Sequence, residues 1–396
     1  MPDVHGLRVG LRQATPIRLD ADLTCAQGEV LALVGPSGSG KSSILRAIAG
    51  LLHPREGQIS CNGETWLDTS RGIRLPPQKR RVGMMFQEYA LFPHLSAVEN
   101  IMEALLDYPA AKRRIKALEL LDRVHLAGLD NRKPAALSGG QRQRVAVARA
   151  LAREPHALLL DEPFSAVDRA TRDRLYRELA ELRQDLRMPV ILVTHDLTEA
   201  SMLADRLCLL SQGSTLQTGA PLEVMSRPHS LHVARLLGLK NLFHGRVLEH
   251  RAGDGITLIE WGPYRIEARH HPQFNAGELI DWVIPQGSVL LHRRDRPSRG
   301  ERENPVNGTI SEFVPLGQDA AVTVCVDAIP DKPLFMTIPL HVAARNGIAK
   351  HQTVTVSLLA DSVHLMRNEP DGETDGHVGK CNDCPPALDN RFLHCD

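Results

Sequence analysis

The chain has 396 residues, long enough for two domains or more. Lys plus Arg is 47 and Asp plus Glu is 47, and a formal net charge of zero argues against a nucleic-acid protein running on bulk charge. Hydrophobic residues make up 42% and aromatic residues 4%, which supports a globular core that must be mostly aliphatic.

No stretch approaches the roughly 18 uninterrupted apolar residues of a membrane span. The opening Met1-Pro2-Asp3-Val4-His5-Gly6 lacks a basic-then-apolar signal pattern, so a cytoplasmic location is expected. Cys25, Cys61, Cys208 and Cys325 are scattered singly, as small apolar packing residues are.

Residues 1 to about 29 read as two strands of an antiparallel edge region. Val30–Val34 is a continuous apolar run, as expected of a strand buried on both faces. It stops at Gly35-Pro36-Ser37-Gly38-Ser39-Gly40-Lys41-Ser42-Ser43, and a helical segment follows to Leu52. This is G-x-x-x-x-G-K-[ST] between strand and helix. Glycines let backbone N–H groups curl around phosphate oxygens, and the helix N-terminus adds partial positive charge. Lys41 is placed to reach the β- and γ-phosphates, and the Ser42 hydroxyl to ligate Mg²⁺.

Gly57–Gly63 reads as a hairpin segment with Asn62-Gly63 as a two-residue turn. Arg80–Gln87 is a short strand ending at a glutamine. The loop beyond it carries Tyr89, Leu91, Phe92, Pro93, His94 and Leu95, so it either meets a partner or packs internally. From Ala111 to about Leu129 the spacing predicts a helix with Ile115, Leu118, Leu121 and Val124 on one face. Leu137-Ser138-Gly139-Gly140-Gln141 opens a further helix that runs to about Arg153. It is either a second anion site or an ordinary loop.

Ala157–Leu160 is a third buried strand, ending in Asp161 and Glu162. Carboxylates at the carboxyl end of a parallel strand sit where α/β sheets bind ligands, although helix capping is the alternative. Val190–Thr194 is a fourth such strand, and His195 follows at the same end of the sheet. Leu207–Leu210 and Thr215–Thr218 are strands, and Leu222–Leu237 is helical in pattern. Between Asn241 and Met366 ten short β-type runs fall into two sets either side of a charged linker, His292–Asn304. They suggest small barrels, either an internal repeat or one split barrel. Past Asn368 the chain is Asp-, Gly- and Pro-rich and is expected to be disordered. There Cys381, Cys384, His394 and Cys395 have a spacing that would suit one zinc ion.

In this order the motifs resemble those of ABC transporter ATPase subunits. Gly35–Ser42 is similar to the Walker A loop, Gln87 to the Q-loop glutamine and Leu137–Gln141 to the LSGGQ signature. Leu158–Asp161 with Glu162 resembles Walker B and its catalytic glutamate. Ser165-Ala166-Val167-Asp168 resembles the D-loop, and His195 the switch histidine.

The resemblance implies an α/β P-loop NTPase domain over residues 1–238, with an antiparallel β edge and a helical subdomain. A smaller all-β OB-like domain over 239–366 and a tail over 367–396 would follow. It implies ATP as substrate with Mg²⁺ held by Ser42, Gln87 and Asp161, and catalysis by Glu162, Gln87 and His195. Gly35, Pro36, Ser37, Gly38, Ser39, Gly40, Lys41, Ser42 and Ser43 would hold the phosphates. Ser138, Gly139, Gly140 and Gln141 would reach the same nucleotide from a second copy, making the working unit a homodimer.

The partners implied are integral membrane permease subunits, contacted through Tyr89, Leu91, Phe92 and His94, and indirectly a periplasmic binding protein. No nucleic acid is implied, and the location would be the cytoplasmic face of the inner membrane. Many family members stack an aromatic residue on adenine, but residues 10–16 carry none. Arg12 or apolar contacts would hold the base, and ATP would be distinguished from GTP less sharply. Gly72–Gly83 resembles the corresponding stretch of molybdate importers and is shared in large part with sulfate, ferric-iron, polyamine and sugar importers. An oxyanion importer, molybdate first, is therefore expected. A soluble ATPase of DNA repair or translation, and a nucleotide-gated regulator without hydrolysis, are the competing readings.

Overall fold

A computed structural model describes residues 5–165, 169–184, 186–292 and 303–368. The chain divides into two compact units, the first ending at Val224 and the second beginning at Met225.

The first unit is built on one mixed sheet. Its strands are β1 (Gly6–Gln13), β2 (Leu19–Ala26), β3 (Val30–Val34), β4 (Glu56–Cys61), β5 (Glu64–Asp68), β6 (Ile73–Arg74), β7 (Val82–Met85), β8 (Ala157–Asp161), β9 (Val190–Thr194), β10 (Arg206–Ser211) and β11 (Ser214–Gly219). Their order is β6-β5-β4-β1-β2-β11-β10-β3-β9-β8-β7. Strands β10, β3, β9, β8 and β7 run parallel. Every residue of β3, β8 and β9 is buried, which is why these segments read as unbroken apolar runs. A fully buried Leu or Val side chain contributes about 1.5–3 kcal/mol, so these three strands supply much of the core around Leu31, Leu159 and Ile191.

The opening hairpin belongs to an antiparallel region at one edge of the sheet, as expected. Strands β1 and β2 pair antiparallel, with β4, β5 and β6 continuing outward to the edge and β11 on the inner side. The alternation along β2, buried then exposed, marks a strand with one wet face and says nothing about its neighbours. The Asn62-Gly63 turn is as expected: φ of 50° and 82° puts both residues in the left-handed region that a type I′ hairpin requires.

The first unit also holds α1 (Lys41–Ala49), α2 (Ala97–Met102), α3 (Ala110–Arg123), α4 (Gly139–Leu151), α5 (Arg169–Gln184) and α6 (Leu197–Leu203). Helix α1 is fixed at its far end by Arg80. This side chain is 1% exposed, and its Nη1 donates to the carbonyls of Ala47 at 2.7 Å and Ile48 at 2.8 Å. A guanidinium suits a helix C-terminus, where carbonyls lack partners and the dipole is negative. Gly50 ends the helix at φ 80°, and a Cβ there would come within 2.9 Å of that guanidinium.

The face of α3 is turned from the one expected. Ala117, Leu120, Leu121 and Val124 are buried, whereas Ile115 is 59% and Leu118 39% exposed. Small Ala117 completes the i, i+3, i+4, i+7 arc, and the pattern built on Ile115 runs off it.

The second unit is all β apart from short helices such as Leu231–Leu236 and Leu340–Arg345. Its strands are β12 (Leu242–Arg251), β13 (Ile256–Trp261), β14 (Tyr264–Arg269), β15 (Leu279–Val283), β16 (Val289–Leu291), β17 (Glu303–Leu316), β18 (Asp319–Val326), β19 (Ile329–Pro339), β20 (Thr353–Leu359) and β21 (His364–Arg367). They form sheets of order β14-β13-β12-β15-β21 and β16-β20-β17-β18-β19. Each sequence set thus lends one strand to the other's sheet, and both sheets close on one core. Phe243, Trp261 and Trp282 meet in it, with ring centroids 4.7 to 5.3 Å apart. Cys25, Cys61 and Cys208 are buried free thiols, as expected. Cys325, on β18, is buried as well. Cys381, Cys384, His394 and Cys395 lie outside the described residues, as does the rest of the tail from residue 369.

A knot of imidazoles joins β12, β14 and β21. His271 and His364 have centroids 5.8 Å apart, as His250 and His270 do at 5.4 Å, and His364 Nε2 donates to the Pro228 carbonyl at 3.0 Å. Burial, with His364, Arg227, His270 and His250 nearby, pushes His271 down to about 4, and burial lowers His364 as well. The unfolded chain then binds the extra proton between the ordinary histidine value and about 4. Stability of this unit is complete above pH ~6.5 and declines as pH falls through that window, by about 1.4 kcal/mol per pH unit for each such proton. Thermal unfolding of the full chain followed at pH 7, 6 and 5 should show this decline, and His271→Gln should flatten it. An unchanged slope in the variant would contradict the assignment.

Candidate active site

The loop after β3 turns tightly because its glycines permit it. A Cβ on Gly35 would lie 2.2 Å from the Leu210 carbonyl, and Gly38 and Gly40 have φ of 80° and 97°. Gly40 forms the N-cap of α1, so Ser37–Ser43 wraps the positive end of that helix. Lys41 is buried, and its Nζ donates to the carbonyls of Gly35 at 2.8 Å and Pro36 at 2.9 Å. Burial lowers its pKa, and Glu162 and Asp161 act against that shift. Phosphate oxygens are stronger acceptors than these carbonyls and would compete for the same ammonium.

Ser42 links α1 to β8: its hydroxyl donates to Asp161 Oδ1 at 3.0 Å. Burial raises the Asp161 pKa, partly offset by that hydrogen bond, and the neighbouring Glu162 raises it further. A buried carboxylate and a hydroxyl side by side next to a phosphate loop are the hard oxygen donors Mg²⁺ takes, so these residues fit the ion.

Glu162 is the convergence point. Gln87 Nε2 donates to its Oε2 at 3.3 Å, and His195 Nδ1 lies 3.4 Å from the same oxygen. The Glu162 backbone is left-handed at φ 43°, at a cost of about 1–3 kcal/mol for a residue with a side chain. Bonds on both sides hold it there. Its N–H donates to the Val193 carbonyl at 3.0 Å, and its carbonyl accepts from Ser165 N at 3.2 Å and Ser165 Oγ at 3.0 Å. Ala166, Val167 and Asp168 lie outside the described residues.

Beneath His195 sits a buried polar set without a sequence motif. Thr194 Oγ1 and Tyr176 Oη both donate to Glu199, and burial raises the pKa of that carboxyl. Asp196 caps α6 by accepting from Thr198 N at 2.7 Å. His195 is thus anchored on both sides while its own side chain is 63% exposed.

Ser138, Gly139, Gly140 and Gln141 stand at the start of α4. Ser138 Oγ accepts from Gln141 N at 3.3 Å and Gln141 Oε1 accepts from Ser138 N at 2.9 Å, a reciprocal cap that opens α4. The hydrogen bonds described for these side chains are with each other. The phosphate loop, Asp161, Glu162, Gln87 and His195 gather at one end of the parallel strands.

Arg12 is committed elsewhere. Its guanidinium pairs with Asp20 at 3.1 Å and with Asp22, and donates to two carbonyls. Of the two holds expected for the base, Arg12 or apolar contacts, the first is thus already paired, and the triphosphate, which ATP and GTP share, is the larger part of what is recognised under that expectation. Hydrolysis of the two should differ by less than about tenfold in kcat/KM, that is ~1.4 kcal/mol. A preference for ATP beyond about a hundredfold would contradict this.

Comparison with known proteins agrees with this geometry. Residues 19–165 match the family model described as ABC transporter. The chain is 47% identical over 245 residues to the sulfate/thiosulfate import ATP-binding protein CysA of Methylococcus capsulatus, covering 60% of this chain and 69% of that protein. It is 45% identical over 311 residues to the protein of the same name from Ralstonia nicotianae, covering 77% and 76%. It is 36% identical over 310 residues to the spermidine/putrescine import ATP-binding protein PotA of Oleidesulfovibrio alaskensis, covering 78% and 80%. Molybdate, expected first from Gly72–Gly83, is not supported by these relatives, which are named for sulfate and for polyamines. With phosphate loop, carboxylates and signature in place and relatives matched over most of their length, the chain belongs to the ABC transporter family, as an ATP-hydrolysing subunit.

Proposed function

We propose that this chain powers import of a small oxyanion, sulfate or thiosulfate first, through a membrane permease. The observation that carries the hydrolytic part is the meeting of Gln87 and His195 on one oxygen of Glu162, one residue beyond the Ser42–Asp161 pair.

Each side chain then has a task. Lys41 and the amides of Gly35–Ser43 hold the β- and γ-phosphates. Ser42 and Asp161, with the side-chain oxygen of Gln87, would hold Mg²⁺, which would neutralise charge on the phosphate oxygens. Glu162 orients the attacking water and accepts its proton, and His195 contacts the γ-phosphate. Ser138, Gly139, Gly140 and Gln141 complete the site from a second copy, so two chains enclose two nucleotides. Catalysis of this kind is mostly positioning and charge stabilisation.

Among the described residues no helix is long and apolar enough to cross a membrane, so transport requires permease subunits. The peripheral place at the membrane's cytoplasmic face follows from that partnership, with a periplasmic binding protein delivering cargo on the far side. Leu91 helps line a cavity of about 540 Å³ with Gln87, Glu88, Pro134, Arg142 and Ser165, Phe92 next to it in sequence is 43% exposed, and Tyr89, expected on the same surface, is buried instead. This is the surface we assign to the permease. The boundary between an ATPase domain, 1–238, and a regulatory OB-like domain, 239–366, belongs to the same proposal.

Sulfate is placed ahead of polyamines because relatives named for it reach 47% and 45% identity, against 41% and 36% for relatives named for putrescine and for spermidine/putrescine. Uptake into vesicles holding the full chain, its permease and binding protein separates the cargoes. ATP-driven uptake of sulfate or thiosulfate, lost in Glu162→Gln, is expected. Uptake of putrescine alone would overturn the oxyanion reading, and uptake of molybdate alone would reverse the order within it.

A further inference from the structure

The turn that carries Gln87 is held from outside by one side chain. Tyr89 and Ala90 have φ of 63° and 45°, two consecutive left-handed residues that both carry a Cβ. Arg149, in the last turn of α4, grips both. Its Nη2 donates to the Tyr89 carbonyl at 2.8 Å and its Nη1 to the Ala90 carbonyl at 2.7 Å. The Phe92 ring lies 5.8 Å from the guanidinium carbon and covers it. The fork shape matters, because each terminal nitrogen of the guanidinium meets one carbonyl, a two-nitrogen fit that the single Nζ of a shorter lysine side chain does not reproduce at this place.

The gripped turn leads to the reacting carboxylate by two routes. Tyr89 N–H donates to the Phe86 carbonyl at 2.8 Å, closing the turn with Gln87 inside it, and Gln87 reaches Glu162. The buried Tyr89 ring also points its hydroxyl at the Pro163 carbonyl, 3.5 Å away and one residue past Glu162. Arg149 shares α4 with Ser138–Gln141, so one rigid helix carries both the signature residues and the grip on the glutamine turn.

We propose that Arg149 is a positioning residue for hydrolysis, whose bidentate grip on the Tyr89 and Ala90 carbonyls sets Gln87 against Glu162. Its described partners are the Tyr89 and Ala90 carbonyls and the Phe92 ring, so it acts through Gln87. The inference rests on the roles given to Gln87 and Glu162 above.

The test is ATP hydrolysis by the purified full chain in a double-mutant cycle. Arg149→Lys keeps the charge and loses the fork. It should lower kcat about 10- to 100-fold while moving KM for ATP less than about threefold. Gln87→Ala should lower kcat comparably, and Arg149→Lys added to it should cost less than about twofold more, since both act through one group. Ala90→Gly, placed in the Arg149→Lys chain, should recover part of kcat, because glycine takes a left-handed φ without strain. Multiplicative losses would overturn the role of Arg149 and leave that of Gln87 standing. So would an Arg149→Lys chain with normal kcat. Should Arg149→Lys not fold, the cycle is run with Arg149→Gln, to which the same outcomes apply. A Gln87→Ala chain with normal kcat would overturn the Gln87 assignment itself, and this inference with it.

Discussion

The site depends on a buried ammonium whose short hydrogen bonds go to neutral carbonyls, with the carboxylates of Glu162 and Asp161 acting on its charge. Lys41 is taken out of water by the loop it belongs to, and the carbonyls of Gly35 and Pro36 are neutral partners for its charge. A buried cation of this kind is far better satisfied by phosphate oxygens, so the loop is built to prefer a polyanion. The loop keeps this shape because Gly35 lies against the Leu210 backbone, where a methyl group has no room. Strands β3 and β10 have to be parallel neighbours for that contact to exist. Fold and phosphate binding are therefore one constraint.

The rest of the chemistry is set by backbone that ordinary residues avoid. Glu162, Tyr89 and Ala90 each carry a side chain in the left-handed region. The first is pinned by the Val193 carbonyl and Ser165, the other two by Arg149. Strain held in this way fixes a carboxylate and an amide where free loops would let them wander.

Much of this was legible from residue order alone. Buried parallel strands announce themselves as apolar runs, and Gly35–Ser42, Asp161-Glu162 and His195 fall at their carboxyl ends as the sheet requires. The Asn62-Gly63 turn was equally plain. Three features were not. The face of α3 was misjudged because Ala117 is too small to dominate a hydrophobic pattern, although it sits at the contact. The exchange of β16 and β21 between sheets depends on long-range pairing that short runs do not encode. Arg149 reads as one more arginine in Gln141-Arg142-Gln143-Arg144, Arg149 and Arg153, and only the distances to Tyr89 and Ala90 single it out.

Within one chain the signature residues Ser138–Gln141 bond to each other, and the phosphate loop gathers its own partners. Pairing of two chains around nucleotide is the claim that gives both halves of the site a purpose. The most direct measurement is the solution mass of the full-length Glu162→Gln chain by light scattering, with and without ATP and Mg²⁺. The account predicts a rise from the 43.7 kDa of one chain to twice that when ATP is added. A mass that stays at that of one chain at saturating ATP would contradict it.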